Sequence, residues 1–317
     1  MLLSQLEAQR TKSAKEEEGG GSRMAVKWIV TDMDGTLLNE RDQITETARE
    51  YLIACQKKGI RLILASGRSY VRLMPYVREL RMEEFGGILI EINGLAVSYL
   101  GTGRRTVFSQ LEQEDIIPLA AFLKDQDTEI EGYQDDTLYY WIPEWQRPFK
   151  EAERKKRGYP EGHPLVADAW SWITSDDFSH NYPHLIEISS PEELPGRLNK
   201  INCVDTKERI EQIFERLTER FQGDYEMVRT CPRQIEIAPG GITKGQTLKM
   251  LMEEAGIDKD EVLVFGDGEN DVDMFRQVTH SIAMGNAADY VKQHALRVTD
   301  SNSREGLVKA LRSYQVL

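Results

Sequence analysis

Residues 30–38 read VTDMDGTLL, and this stretch decides how the rest of the chain is interpreted. The apolar segment Val26–Val30 precedes it and predicts a buried strand, which Gly35 would end. Side chains two positions apart on a strand point the same way, so we expect Asp32 and Asp34 to project together from its carboxyl end. Ligands bind at that edge of an open α/β sheet, and two uncompensated acids there favour a metal site or a reaction.

The composition narrows the class of protein. The chain has 317 residues, enough for about two domains of ~150 residues each, and 40% of them are hydrophobic. A net charge of −13 argues against a nucleic-acid partner, because phosphate backbones attract clustered Lys and Arg. The sequence has no run of about 18 apolar residues and no apolar signal segment, so we expect no membrane span and no secretion.

Cysteine and histidine usage predicts a reduced, cytoplasmic protein. The three cysteines are far apart and form no C-x-x-C pair, which indicates neither a zinc site nor a disulfide framework. The five histidines form no H-E-x-x-H motif, so histidine-based metal or triad chemistry is not expected.

The chain divides into four segments by composition and pattern. Residues 1–23 are polar and end in a GGGS run, which predicts a flexible N-terminal tail. In residues 24–107 and again in 239–317, continuous apolar strands alternate with amphipathic helices, as in a parallel sheet covered on both faces. Residues 108–238 hold four of the five tryptophans and are too long for a loop, so we predict an inserted α+β domain.

The predicted elements follow from periodicity and from start and stop signals. Thr47 and Glu50 are a candidate capping box for the first helix, and hinges of the inserted domain are expected at 101–105 and 239–241. The predicted strands are 26–32, 61–65, 87–92, 261–265, 281–284 and 297–299, and the predicted helices are 45–58, 69–80, 207–221, 244–255, one near 272, and 287–294.

Three further signals accompany Asp32 and Asp34, in a fixed order along the chain. Ser66 ends a predicted strand in LASGR, Lys244 opens a predicted helix in GITKG, and residues 266–271 read GDGEND after another strand. Each signal lies at a strand's carboxyl end or a helix's amino end. All four would therefore meet over one edge of the sheet.

This ordered set resembles the haloacid dehalogenase-like superfamily of phosphotransferases, and within it the Cof-type phosphatases with a class IIB cap. The resemblance covers about 24–317 and extends to EING at 91–94, IEIAP at 235–239, AMGNA at 283–287 and VTDSN at 298–302. It implies an α/β fold, with a Rossmann-like parallel-sheet core and an inserted α+β cap domain. It also implies Mg²⁺ and a small phosphorylated substrate, such as a sugar phosphate or a phosphorylated cofactor, in a monomer or weak homo-oligomer.

The same resemblance assigns roles to individual residues. Asp32 would be the nucleophile that forms an aspartyl-phosphate, and Asp34 the general acid and then the general base. The metal ligands would be the Asp32 carboxylate, the Asp34 backbone carbonyl and Asp267, because Mg²⁺ prefers hard oxygen ligands. Asp271 would orient Lys244 or a metal-bound water. The predicted phosphate- and substrate-binding residues are Ser66, Gly67, Arg68, Lys244 and Asn270.

Other interpretations stay open beside these. Thr243 and Gly268 stand where the family more often has Ser and Asn. A sugar phosphomutase of the same superfamily is one alternative function, and a non-catalytic binding or regulatory protein with a vestigial site is another. Ser66 taken alone favours a helix N-cap, and Asn93-Gly94 favours a turn.

Four features of the middle segment also have a simpler interpretation. The aromatic run 139–141 and the pair Trp170 and Trp172 favour core packing over a substrate platform. Arg229 and Arg233 would reach an anionic substrate group or form surface salt bridges, and Cys231 is given no catalytic role.

Overall fold

The computed structural model describes residues 25–168, 171–174, 182–221 and 223–317. The predicted tail and Trp170 lie outside these ranges. The described strands are β1 Trp28–Thr31, β2 Arg61–Ala65, β3 Ile88–Glu91, β4 Ala96–Tyr99, β5 Arg104–Val107, β6 Leu111–Glu112, β7 Glu129–Tyr133, β8 Thr137–Trp141, β9 His184–Glu187, β10 Arg197–Leu198, β11 Lys200–Val204, β12 Tyr225–Cys231, β13 Gln234–Pro239, β14 Val262–Gly266, β15 His280–Ala283 and β16 Arg297–Val298. The described α-helices are α1 Glu46–Lys57, α2 Tyr70–Glu79, α3 Gln113–Asp125, α4 Arg147–Lys156, α5 Lys207–Phe221, α6 Lys244–Ala255, α7 Val272–Gln277, α8 Asp289–Lys292 and α9 Gly306–Ser313.

The first sheet has the order β16-β15-β14-β1-β2-β3-β4-β5 among the described strands. Neighbouring strands from β16 to β3 run parallel, and β4 and β5 return antiparallel at the edge. Strand β1 lies between β14 and β2, and all four of its residues are buried. Its apolar sequence is what a strand covered on both faces requires, which confirms the predicted α/β class.

Helices cover both faces of the first sheet. Ile29, on β1, packs in one cluster with residues of α1, α2 and α9, whereas Val30 packs on the opposite face with residues of α6 and α7. Successive residues of this strand thus pack into two different cores, because successive side chains of a β-strand point to opposite faces of the sheet. The first sheet, with the carboxyl end of β1 near its centre, therefore lies between two helical layers.

The second sheet has the order β12-β13-β11-β7-β8-β9 and is mainly antiparallel. One face packs against α3 and α5, where Ile213 and Leu217 of α5 meet Ile201 and Ile235 of the sheet. The strands of this sheet come from residues 129–239, which supports our proposal that 108–238 is an inserted domain and that 24–107 and 239–317 form the core.

An ion-pair network joins the two sheets. The Arg105 guanidinium on β5 lies 2.9 Å from the buried Glu91 carboxylate and 2.8 Å from Asp135 in the β7–β8 turn. The hydroxyl of Ser69 donates to the carbonyl oxygen of Asp135 at 2.7 Å, and Asn199 donates to its carboxylate at 2.9 Å. These contacts fasten the second sheet to the segment that follows Ser66.

Two predictions about boundaries are wrong. The first helix begins at Glu46, and its N-cap is Thr45, whose hydroxyl accepts from the Ala48 N–H, so Thr47 and Glu50 form no capping box. The first hinge does not lie at 101–105, because Arg104 and Arg105 pair with β4 and the chain leaves the first sheet after Val107. The hairpin signal at 101–103 resembles a linker in composition, since both use glycine and small polar residues.

Candidate active site

The predicted site residues converge at one edge of the first sheet. Asp32 follows β1, Ser66 follows β2 and Asp267 follows β14, and these three strands are adjacent. The Asp32 N–H donates to the carbonyl oxygen of Phe265 at 3.0 Å, which fixes the end of β1 against β14. Parallel register alone therefore brings these groups together.

Lys244 forms the centre of the site. Its ammonium nitrogen lies 2.6 Å from Asp32 Oδ1 and 2.8 Å from Asp271 Oδ1, and the side chain is fully buried. Burial lowers the pKa of Lys244, but the two carboxylates, Asp271 first, outweigh it and raise the pKa above its ordinary value. The lysine is therefore a fixed cation rather than a proton donor.

Local sequence explains why Lys244 occupies this position. Thr243 caps α6: its hydroxyl accepts from the Gln246 N–H at 3.1 Å, and the Gln246 side chain accepts from the Thr243 N–H at 3.1 Å. Gly245 lets the helix approach closely, since a Cβ there would lie 2.4 Å from the carbonyl carbon of Asp273. Thr243, which departs from the family pattern, thus keeps a capping role.

Asp271 is occupied by protein groups on both oxygens. Its Oδ1 accepts from Lys244, and its Oδ2 accepts from the N–H groups of Asp267 and Gly268, each at 3.0 Å. The side chain is fully buried. These contacts support our proposal that Asp271 orients its neighbours.

Three carboxylates gather where a cation would bind. Oxygens of Asp32, Asp267 and Asp271 all lie within 4.8 Å of one another. Burial, and next the charge of Asp271, raises the pKa of Asp32 well above its usual range, and Lys244 opposes this. Burial likewise raises the pKa of Asp267 to about 6, against the hydrogen bond from Thr36. A divalent cation would remove this excess of negative charge.

Asp267 is held by two side chains, those of Thr36 and Asn286, for which the sequence predicted no role. The Thr36 hydroxyl donates to its Oδ1 at 2.7 Å, and the Asn286 amide donates to its Oδ2 at 3.2 Å and to the carbonyl oxygen of Gly35 at 2.8 Å. Gly35 has φ +77°, and a Cβ there would lie 2.3 Å from Asp267 Oδ2. Asn286 stands just after β15, so its position at a strand's carboxyl end was the available signal.

Ser66 and Gly67 lie beside the same edge. Ser66 is buried, and its hydroxyl accepts from the Arg68 N–H at 3.1 Å. The next helix begins at Tyr70, with Ser69 at its N-cap position, so the alternative of Ser66 as the N-cap is wrong. Gly67 packs against Asn93, since a Cβ would lie 3.2 Å from the Asn93 amide oxygen.

Arg68 turns toward Asp34. Its Nε donates to Asp34 Oδ2 at 3.0 Å, and its Nη2 donates to Asp34 Oδ1. Side-chain exposure is 9% for Arg68 and 55% for Asp34. The sequence predicts Arg68 as a substrate contact, and the structure places its charged end against the predicted acid–base residue instead.

Asn270 belongs to a short chain of amide and carboxylate groups that crosses between the sheets. Its amide donates to Asn93 Oδ1 at 3.0 Å, and the Asn93 amide donates to Glu236 Oε1 at 3.2 Å. Asn93 has φ +54°, so it does form a turn, but its side chain also contacts the site. A cavity of about 360 Å³ adjoins this chain, and its wall includes Asn93, Asn270, Glu226, Glu236, Glu269 and Tyr290.

The aromatic and basic residues of the middle segment have structural contacts. Tyr139 and Trp141 pack on the apolar core of the second sheet and Tyr140 is buried, which confirms the core interpretation of 139–141. The Arg233 guanidinium lies 3.7 Å from the centre of the Trp172 ring, and that of Arg229 lies 5.0 Å from the Phe214 ring. Both arginines stack on aromatic rings, a contact that charge alone did not predict.

Two further observations concern the rest of the chain. Burial raises the pKa of Cys231, the opposite of what an activated thiol needs. Across the ranges that the structure covers, none of the helices combines the length and the apolar character that crossing a bilayer requires.

The chain is similar to known proteins in sequence and in structure. The sequence profile of the haloacid dehalogenase-like hydrolase family matches residues 29–311. The chain is 27% identical over 292 residues to 5-amino-6-(5-phospho-D-ribitylamino)uracil phosphatase YbjI of Escherichia coli, covering 91% of this chain and 96% of that one. It is also 27% identical over 329 residues to the chloroplastic endoribonuclease YBEY of Arabidopsis thaliana, but spans only 50% of that protein's length.

A solved structure of a protein from the same family is similar to this chain in fold. The haloacid dehalogenase-like hydrolase from Bacteroides thetaiotaomicron superposes with a TM-score of 0.76 at 28% identity, over 91% of this chain and 99% of that one. The family match covers the first sheet, the second sheet and the four motifs that predicted it. The chain therefore belongs to the haloacid dehalogenase-like hydrolase family.

Proposed function

We propose that the protein is a Mg²⁺-dependent phosphatase that hydrolyses small phosphate monoesters through an aspartyl-phosphate. The observation that carries this proposal is the buried Lys244 ammonium bound to both Asp32 and Asp271, with Asp267 beside them. A nucleophilic carboxylate, a fixed cation and a second carboxylate for metal are the groups that phosphoryl transfer to aspartate requires.

The donor set fits magnesium. Asp32 and Asp267 offer hard carboxylate oxygens, which together with the Asp34 backbone carbonyl would hold the ion, and Mg²⁺ takes few protein ligands and keeps several waters. A bound Mg²⁺ would neutralise charge between the carboxylates and a phosphoryl oxygen. Asp271 is assigned a positioning role beside this ligand set, because its oxygens accept from Lys244 and from two N–H groups.

Hydrolysis then proceeds in two displacements by groups of this chain. A carboxylate oxygen of Asp32 attacks phosphorus, the bond from phosphorus to the leaving oxygen breaks, and Asp34 gives that oxygen a proton. Asp34 next takes a proton from water, the water oxygen attacks the aspartyl-phosphate, and the phosphorus–oxygen bond to Asp32 breaks. Phosphate leaves, with Asp32 ionised and Asp34 protonated as they were at the start.

The remaining residues bind the phosphoryl group. Lys244 balances charge on Asp32, the Ser66 hydroxyl and the Gly67 N–H would donate to phosphoryl oxygens, and the Asn270 amide faces the same region from the other side. Preorganised donors of this kind stabilise charge in the transition state without reorganisation.

Relatives and cavity size support small phosphorylated metabolites as substrates. A relative is named as a phosphatase of 5-amino-6-(5-phospho-D-ribitylamino)uracil, which by that name is a small phosphorylated molecule. The cavity of about 360 Å³ beside Asn93 and Asn270 matches a small leaving group.

A substrate panel with matched variants tests the proposal. Purified protein should release phosphate from members of a phosphometabolite panel and from 4-nitrophenyl phosphate with Mg²⁺ and not with EDTA. Asp32→Asn should abolish turnover, whereas Asp289→Asn, at a side chain 95% exposed, should leave it unchanged. Turnover that survives both EDTA and Asp32→Asn would sink the mechanism, and phosphate transfer only to a sugar acceptor would favour the phosphomutase alternative.

A further inference from the structure

All three nitrogens of the Arg68 guanidinium are engaged by protein groups. Nε and Nη2 contact the two oxygens of Asp34, and Nη1 donates to the Tyr76 hydroxyl at 3.2 Å. The charged end of Arg68 therefore has little left to offer a substrate phosphate. Its planar fork matches the Asp34 carboxylate in a two-point contact, which fixes orientation as well as distance.

Arg68 is itself held from several sides. Its backbone N–H donates to the Ser66 hydroxyl at 3.1 Å, and its carbonyl accepts from the Ile92 N–H at 3.1 Å. The guanidinium lies 5.6 Å from the centre of the Tyr76 ring, and the Tyr76 hydroxyl donates to the backbone carbonyl of Asp42 at 3.1 Å. A buried, doubly anchored arginine thus holds a carboxylate whose side chain is 55% exposed.

We propose that Arg68 is a positioning residue that fixes the Asp34 carboxylate for proton transfer, and not a ligand of the substrate phosphate. This inference rests on the proposed phosphatase mechanism. Without the arginine, the exposed Asp34 side chain would sample several rotamers, and a misplaced acid–base group loses much of its effect. Asp34 transfers a proton in both displacements, but the first displacement needs that proton only when the leaving group is a poor one.

The leaving group of the substrate determines which of the two displacements is slowed when Asp34 is no longer held in place. A 4-nitrophenolate leaves without a proton, so loss of Asp34 positioning slows only the attack of water on the aspartyl-phosphate. The ratio kcat/KM reports the steps up to phosphoenzyme formation, so it would stay nearly constant while kcat and KM fall together. Glycerol 2-phosphate has an alkoxide leaving group that needs the proton, and its kcat/KM would fall as well.

The experiment compares Arg68→Gln, Arg68→Lys and the matched control Arg78→Gln, an exposed arginine on the helix that follows Arg68, with Mg²⁺ present. For Arg68→Gln with 4-nitrophenyl phosphate, we expect kcat to fall about 10²-fold or more, with kcat/KM within about threefold of the parent and a burst of one 4-nitrophenolate per site. With glycerol 2-phosphate, kcat/KM should fall about 10²-fold. Arg68→Lys should give the same pattern more weakly, and Arg78→Gln should match the parent.

The opposite results are equally clear. A fall in kcat/KM for 4-nitrophenyl phosphate with unchanged kcat and no burst would show that Arg68 binds the substrate phosphate, and would overturn the inference. If Arg68→Gln does not fold, Arg68→Lys decides by the same two ratios. Failure of the parent protein to hydrolyse either substrate would instead refute the proposed function, which keeps the two conclusions separate.

Discussion

Replacement of Lys244 by Met tests how the site is held together. The lysine is fully buried and contacts two carboxylates, of which Asp271 is also fully buried. Methionine has a similar length and no charge, so it fills the space and leaves Asp32 and Asp271 without a cation. Removing one partner from a buried ion pair costs about 3–5 kcal/mol, because an uncompensated charge remains inside the protein.

We therefore expect Lys244→Met to lower the free energy of unfolding by about 3–5 kcal/mol at pH 7 and to reduce the melting temperature by roughly 6–20 °C. Turnover should also disappear, because Asp32 loses its neutralising neighbour. Thermal unfolding followed by circular dichroism, without added metal, measures the first effect.

The pH dependence of this variant gives a second check. Burial raises the pKa of Asp32 well above its usual range in the parent, and loss of Lys244 raises it further. A carboxylate with a raised pKa in the folded state binds a proton there that the unfolded chain has lost, so lower pH favours the folded form. The deficit of Lys244→Met should therefore shrink as the pH falls from 7 toward 5.

The matched control is Lys249→Met, which removes a lysine from the same helix whose side chain is 62% exposed. Its melting temperature should stay close to that of the parent, because exposed ion pairs contribute at most about 1 kcal/mol. Equal melting temperatures for both variants, with no recovery at low pH, would refute the reasoning about a compensated buried cluster.

Three other perturbations have defined outcomes. Burial, and next the charge of Glu129, raises the pKa of Glu131 to about 8. As the pH rises from 5 to 8, the free energy of unfolding of the parent should therefore fall relative to that of Glu131→Gln, by up to about 1.4 kcal/mol per pH unit. Urea unfolding measures this difference, and parallel stability curves for the two proteins would contradict it. Gly35→Ala should raise the Mg²⁺ concentration that gives half-maximal activity about tenfold or more, because the new Cβ would collide with the Asp267 carboxylate. The control Gly86→Ala, which also has a positive φ but no atom within 4 Å of its Cβ position, should leave that concentration unchanged. Equal effects of the two substitutions would exclude the contact with Asp267 as the cause. Asp135→Asn should lower the free energy of unfolding by about 1–3 kcal/mol, because the negative charge that pairs with Arg105 is lost. The control Asp136→Asn, at an exposed residue whose carboxylate accepts from the Thr137 hydroxyl at 2.9 Å, should change it by about 0.5 kcal/mol or less. Equal losses would show that the network is not stabilising.

Local sequence signals were sufficient to predict which edge of the first sheet carries the site and that Asp32 and Asp267 lie there. Strand burial, the stop at Gly35 and parallel register predict that Asp32, Ser66 and Asp267 end side by side, and the structure places them so. Lys244 was also predictable, since Thr243 and Gln246 mark the start of its helix. These features depend on neighbours in the sequence and on the geometry of a parallel sheet.

Contacts between segments far apart were not predictable. Nothing near Arg68 in the sequence indicates that its guanidinium would meet Asp34, because that contact depends on the rotamer of a long side chain. Asn286 and Glu236 were missed for a related reason, as their partners come from other strands or from the other sheet. The hinge at 101–105 failed because a hairpin turn and a linker share one composition.

The position of β1 between β2 and β14 has a consequence for synthesis of the chain. The bond between Lys244 and Asp32 joins residues 212 positions apart, and β1 has no partner on one side until β14 has been made. The second sheet, drawn from 129–239, has been synthesised by then. Asp32 and Asp34, which follow β1, therefore reach their final surroundings only when the last part of the chain has been made, and the phosphatase we propose would gain activity only at the end of its synthesis.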